Sequence, residues 1–161
     1  MQISKAMSDL MNAQIGNELG ASNQYLQLSA YFDGQALKKL AELFKKQAEE
    51  EREHAMKFFH YLNEVGAPVT IPAVAAPQYE IGSAENAFKM AVDWEKEVTR
   101  QIHNMVNLAI QEKDHASNNF LQWFVAEQVE EVSSMETYLQ IVRQAGEKNL
   151  LMMEAYLSHG E

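Results

Sequence analysis

The stretch Gly66-Ala67-Pro68-Val69-Thr70-Ile71-Pro72-Ala73-Val74-Ala75-Ala76-Pro77 decides the fold. It holds all 3 prolines of the 161 residues. Proline lacks the amide donor that a helix interior requires, so this segment is a connection between elements. On both sides the chain reads as long helix. Upstream, good helix formers fill residues 4–32 until Asp33-Gly34 interrupts them, and a second pattern over 37–65 stops at Gly66. Downstream, Ser83 is placed to cap a helix over 83–113, with Glu85 in its first turn. A polar joint from Asp114 to Asn118 opens a fourth pattern over 116–145 that ends at Gly146, and residues 148–158 suit one further short helix. Two short joints make two antiparallel hairpins, so the segment from Gly66 to Gly82 has to travel the length of the bundle. The expected fold is all-α, a four-helix bundle with one long crossover and a short C-terminal fifth helix, in a single domain over 1–161. Gly16 and Gly20 interrupt the first helix, each at ~1 kcal/mol relative to alanine. Close helix packing or slack tolerance is the simplest reason for both.

Composition narrows the function. With 23 acidic against 13 basic side chains the formal net charge is -10. That balance argues against nucleic acid and anionic membranes as partners, because such binding draws on clustered Lys and Arg. The absence of cysteine excludes disulfides, thiolate zinc sites, iron–sulfur clusters and thiol nucleophiles. Any metal or catalytic site must use His, Asp, Glu or Tyr. Residues 1–10 carry Lys5 and Asp9 and lack the ~7-residue apolar run of a secretory signal. No stretch approaches the ~18 uncharged apolar residues of a membrane span. The expected location is cytoplasmic.

Within a bundle, the polar residues on the apolar seam carry the information. The second helix places Leu40, Phe44, Gln47, Glu51, His54, Phe58, Tyr61 and Val65 on its seam. The fourth places Leu121, Phe124, Gln128, Glu131, Met135, Tyr138 and Val142 there. The third reads Ala84, Phe88, Ala91, Glu95, Val98, Ile102, Met105, Ala109. The first reads Met11, Gln14, Glu18, Ala21, Tyr25, Leu28, Phe32. Each helix thus puts one glutamate near mid-length, and antiparallel packing brings Glu18, Glu51, Glu95 and Glu131 to one level. A buried carboxylate either keeps a proton or finds a cation. Arg52, Lys57, Lys96 and Arg100 fall off the seams, so two divalent metal ions are the expected counter-charge. Glu51 and His54 lie three residues apart on one face and can share an ion. Di-iron carboxylate bundles take one Glu from each of two helices and Glu-x-x-His from each of the other two. Here the fourth helix departs from that pattern, offering Gln128-Val129-Glu130-Glu131, so the second metal position has weaker ligands and should exchange its ion more readily.

Other polar residues have two readings. Tyr25 suits either an ordinary core hydroxyl bonded to a carboxylate or a redox or gating role. Glu50, Glu127 and Glu130 suit either a solvated acidic face or a third, weaker ion site beside the pair. His60, His103, His115 and His159 have no spacing partner and are expected in solvent. Trp123-Phe124 and the 9 methionines suit core or subunit contacts.

Two stretches carry a family resemblance. Glu49-Glu50-Glu51-Arg52-Glu53-His54-Ala55-Met56 and Asn119-Phe120-Leu121-Gln122-Trp123-Phe124-Val125-Ala126-Glu127-Gln128-Val129-Glu130-Glu131, together with Glu18, Tyr25 and Glu95, resemble the non-haem ferritins of bacteria and archaea, a branch of the ferritin-like di-iron proteins. The resemblance covers essentially the whole chain. Bacterioferritins are less similar: they carry a second Glu-x-x-His on the fourth helix and a haem-ligating methionine where this chain has Arg52, so no haem is expected. Mini-ferritins build their site between subunits. The resemblance implies a ferroxidase, an iron-oxidising enzyme. Glu18, Glu51 and His54 would bind a first iron, with Glu51 bridging. Glu95 and Glu131 would bind a second, with Gln128 nearby. Glu50, Glu127 and Glu130 would match a third site, and Tyr25 would sit beside the pair. It also implies a homo-oligomeric shell of 24 subunits, dioxygen or hydrogen peroxide as oxidant, and storage of ferric oxide inside the shell.

Overall fold

The computed structural model describes residues 3–160; residues 1, 2 and 161, the ends of the expected domain, lie outside the described residues. Its helices are α1 (Lys5–Asp33), α2 (Lys38–Glu64), α3 (Ala84–Glu112), α4 (His115–Ala145) and α5 (Leu150–His159), with a 3-10 turn over Glu147–Asn149 before α5. This is the all-α bundle with a single crossover and a short last helix. Ser4 caps α1 through the Met7 amide, and Ser83 caps α3 through the Asn86 amide. The third joint is tighter than its composition suggests, because Asp114 itself accepts from the Ser117 amide and starts α4 at once. At the first joint the left-handed residue is Ala36, with φ 59°, while Gly34 stays right-handed.

The α1–α2 pair is antiparallel, tied by Ser22 Oγ to the Ala48 carbonyl at 2.6 Å and Ser29 Oγ to the Ala41 carbonyl at 2.7 Å. From Gly66, at φ 69°, the crossover runs along α1 in the same direction. Asn12 donates to the Pro68 carbonyl and accepts from the Thr70 amide, and Gln24 does the same with the two backbone groups of Gln78. Between these clips Pro72 lies over Gly16, where a Cβ would stand 2.3 Å from Pro72 Cγ. Close packing therefore explains Gly16. The crossover delivers α3 parallel to α2, and α3 and α4 form the second hairpin.

Two helix starts are capped from a distance. The Glu154 carboxylate of α5 accepts from the Lys39 and Leu40 amides at 2.7 and 3.1 Å, and α2 has no side-chain cap of its own. Glu147 accepts from the Ala84 and Glu85 amides at the start of α3. Free helix N-terminal amides carry partial positive charge, so a carboxylate there is doubly favourable.

The core is split at mid-height. One apolar cluster gathers Phe32, Leu40, Phe44, Phe88 and Met135; the other gathers Met7, Met11, Phe58, Ile102 and Phe124. On α4 the buried position near the first cluster is Leu139, and Tyr138 is only half-buried. A polar layer separates the two clusters. Among the described residues no helix is long and apolar enough to cross a membrane.

Candidate metal centre

All four seam glutamates enter that layer. Glu18 and Glu95 are 0% exposed, Glu51 1% and Glu131 6%, and His54, Tyr25 and Gln128 are buried among them. Basic side chains nearby are engaged at the surface: Lys96 with Glu136, Arg100 with Glu97, Lys46 with Glu50. Lys57 instead lies 4.2 Å over the Trp123 ring. His60, His103, His115 and His159 are exposed.

Three glutamate or histidine atoms face one another most directly. Glu51 Oε2 and Glu18 Oε2 lie 3.5 and 4.0 Å from His54 Nδ1. Glu18 Oε2 and His54 Nδ1 are both buried without a hydrogen-bond partner. Burial of such atoms normally costs ~1–3 kcal/mol each unless something satisfies them, and a carboxylate oxygen with an imidazole nitrogen is the donor set of a divalent cation. These residues fit a metal. The edge of Trp123, 5.5 Å between ring centres, packs against the imidazole and limits its rotation.

A second ligand-compatible group joins His54, Glu127 and Glu131, with His54 Nε2 3.8 Å from Glu127. Among the described residues Glu95 belongs to neither group. One of its oxygens accepts from Tyr25 and the other from Gln128 Nε2 at 3.1 Å. Gln128 also reaches the Glu95 carbonyl and Thr99. Glu50 and Glu127 are half-buried and Glu130 is exposed; with Glu131 they line a cavity of about 450 Å³.

Proton affinities follow from this crowding. Burial, then the charge of Glu51, pushes Glu95 up to about 8 and Glu131 up to about 7. The same two causes raise Glu18 well above the carboxylate range. Burial also acts on Glu51, but the close approach of His54 and Glu18, together with the Gln47 donor, outweighs it and leaves this carboxyl low. Burial disfavours the His54 cation, yet the Glu51 carboxylate beside it raises it overall. Burial, followed by the charge of Glu95, lifts the Tyr25 phenol well above its usual value. The layer thus favours the charged form of Glu51 and the protonated forms of Glu18 and Glu95.

Two residues that spacing alone did not single out complete the layer. Gln14 Nε2 donates to Glu18 Oε1 at 2.8 Å. Gln47 Nε2 donates to Glu51 Oε1 at 3.1 Å and to Glu131 Oε2 at 2.8 Å. Both are seam glutamines one turn before a seam glutamate, and that repeated Gln-x-x-x-Glu was the available signal.

The ferritin-like domain model of known families matches residues 8–145. The chain belongs to the ferritin family. This ferritin is 37% identical over 145 residues to the bacterial non-heme ferritin of Staphylococcus aureus, covering 90% of this chain and 87% of that one. It is 39% identical over 149 residues to the ferritin BfrB of Mycolicibacterium smegmatis, covering 92% and 82%. Among solved structures, an open pore ferritin from the hyperthermophilic archaeon Archaeoglobus fulgidus superposes with a TM-score of 0.94 at 40% identity, covering 98% of this chain and 97% of that one. The chain is of the non-haem bacterial and archaeal type.

Proposed function

We propose that this ferritin stores iron and oxidises it on the way in, with Fe(II) as substrate and dioxygen or hydrogen peroxide as acceptor. The observation that carries the reading is the pair of orphaned buried atoms, Glu18 Oε2 and His54 Nδ1, facing Glu51 Oε2. Glu18, Glu51 and His54 would hold the first ion. Glu51, central to the layer, would reach the second, which Glu95 and Glu131 would complete with Gln128 beside them. Glu50, Glu127 and Glu130 would receive a third ion on the way to an interior store.

The chemistry follows from the ligands. Hard carboxylate oxygens favour Fe(III) over Fe(II), so a site with four carboxylates and one imidazole favours oxidation. Two neighbouring ions would each give one electron, and dioxygen would take up both with two protons and leave as hydrogen peroxide; peroxide as acceptor would leave as two waters. Tyr25 keeps its proton and holds one oxygen of Glu95, which orients that carboxylate toward the layer. Family membership supports a multi-subunit shell, and 24 copies in one cytoplasmic shell is the arrangement proposed.

Rapid mixing of the assembled, metal-stripped protein with Fe(II) and oxygen tests this. Glu18→Ala and His54→Ala should each abolish fast formation of ferric absorbance while the shell stays intact by light scattering. Variants that oxidise iron at the parent rate would place the reaction elsewhere. An electron-dense core after loading distinguishes storage from a di-iron oxidase that keeps no iron, and a metal buffer would give no fast absorbance on oxygen addition.

A further inference from the structure

The metal ligands of this layer are held by amides, and the amides are divided between the two ion positions. A glutamate carboxylate rotates broadly about its last torsion, so an ion meets a defined ligand only where something locks that rotation. Gln14 locks Glu18: its Nε2 takes Glu18 Oε1, leaving Oε2 toward His54. The orientation of the Gln14 amide is itself fixed, because Asn17 Nδ2 donates to Gln14 Oε1 at 3.3 Å and to Gln101 Oε1 at 3.1 Å. Gln47 does something different. Both of its N–H donors are used, one on Glu51 Oε1 of its own helix and one on Glu131 Oε2 of α4. It therefore pins together two carboxylates whose charges repel, and it does so in a site 8% exposed, where little water competes. A carboxylate oxygen has two lone pairs, so one that accepts from an amide can still bind an ion.

We propose that Gln47 and Gln14 are positioning residues with separate assignments, Gln47 setting the affinity of the second metal position by holding Glu131 to Glu51 across α2 and α4, and Gln14 setting that of the first by holding Glu18. This rests on the reading above that two ions bind in the layer. Partners that orient metal ligands change metal affinity by ~10–100-fold when removed. Glu131 has few other holds: its neighbour Gln128 is committed to Glu95 and Thr99. The Glu51 oxygen that faces His54 is Oε2, which Gln47 does not touch, so loss of Gln47 should fall on the second step.

The test is stepwise binding of Zn(II), which has no redox chemistry, to the metal-stripped assembled protein by calorimetry, with Co(II) absorbance as a second readout of ligand geometry. Gln47→Met keeps the length of the side chain and removes its donors; Gln47→Ala serves if that variant does not assemble. The second step should weaken about tenfold or more while the first stays within about threefold. Gln14→Met should show the reverse. A merely structural role would weaken both steps together in both variants, and that result overturns the proposal. A parent with two steps and a Gln47 variant with the same two steps overturns it alone. A parent that takes up no pair of ions defeats the proposed function and this inference with it.

Discussion

Loading the buried layer with two divalent ions should expel a pH-dependent number of protons, since ligands must be deprotonated to bind. The magnitude follows from the crowding of the glutamates. With Glu95 at about 8 and Glu131 at about 7, the two together hold ~1.7 protons at about pH 6.5 and ~0.3 at about pH 8.5. Glu18, raised well above the carboxylate range, adds up to about one more, and His54 gives up its proton as it coordinates. Anaerobic Zn(II) addition should therefore release ~2–4 protons per subunit at about pH 6.5, and at least about one fewer at about pH 8.5. A pH-stat on the metal-stripped protein reads this number directly. Calorimetry in two buffers of different ionisation enthalpy gives it independently. Release near zero at the lower pH, or release that does not change with pH, would refute the claim that protons stand in for metal ions in this layer.

Further outcomes follow from the same geometry. The folded pKa values of Glu95 and Glu131 lie above the unfolded carboxylate value, so the stability these groups lend is fully present below about pH 4.5 and is lost as pH rises through about 7 and about 8; thermal unfolding of the metal-free protein should show a falling midpoint over that window, and Zn(II) should restore more at its upper end. Tyr25→Phe removes the hydroxyl that one Glu95 oxygen accepts from, which should cost ~1–3 kcal/mol in denaturant unfolding and push the Glu95 carboxyl higher still. Gly16→Ala would set a Cβ 2.3 Å from Pro72 Cγ, and the displaced crossover should lower stability by ~1–3 kcal/mol in the same assay. Zn(II), which binds such ligands more tightly than Fe(II), should inhibit iron oxidation competitively, seen as recovery of the rate at higher iron.

The bundle was legible because its signals are local and repeated. Three prolines in one segment break the helix, and seam positions at steps of three and four mark four buried faces, so Glu18, Glu51, Glu95 and Glu131 could be placed in one layer from spacing alone. What spacing does not give is the partner of each polar group. Gln128 precedes Glu131 on the same seam, yet its amide serves Glu95, and the amide on Glu131 comes from Gln47 on another helix. The caps that Glu154 and Glu147 supply to α2 and α3 are likewise contacts between distant parts of the chain. On α4 Tyr138 and Leu139 stand three and four residues after Met135, both allowed seam steps, and Leu139 is the buried one. Ala36 rather than Gly34 takes the left-handed turn, because the backbone bonds from Ala36 and Leu37 back to Asp33 and Phe32 close the end of α1 there.

The most direct test is an anomalous difference map at the iron edge from crystals soaked in Fe(II) without oxygen. Two peaks are expected within the buried layer of each subunit, one bounded by Glu18 Oε2, Glu51 Oε2 and His54 Nδ1 and one beside Glu95 and Glu131. Iron found only on the solvent-facing carboxylates, with that layer empty, would contradict it.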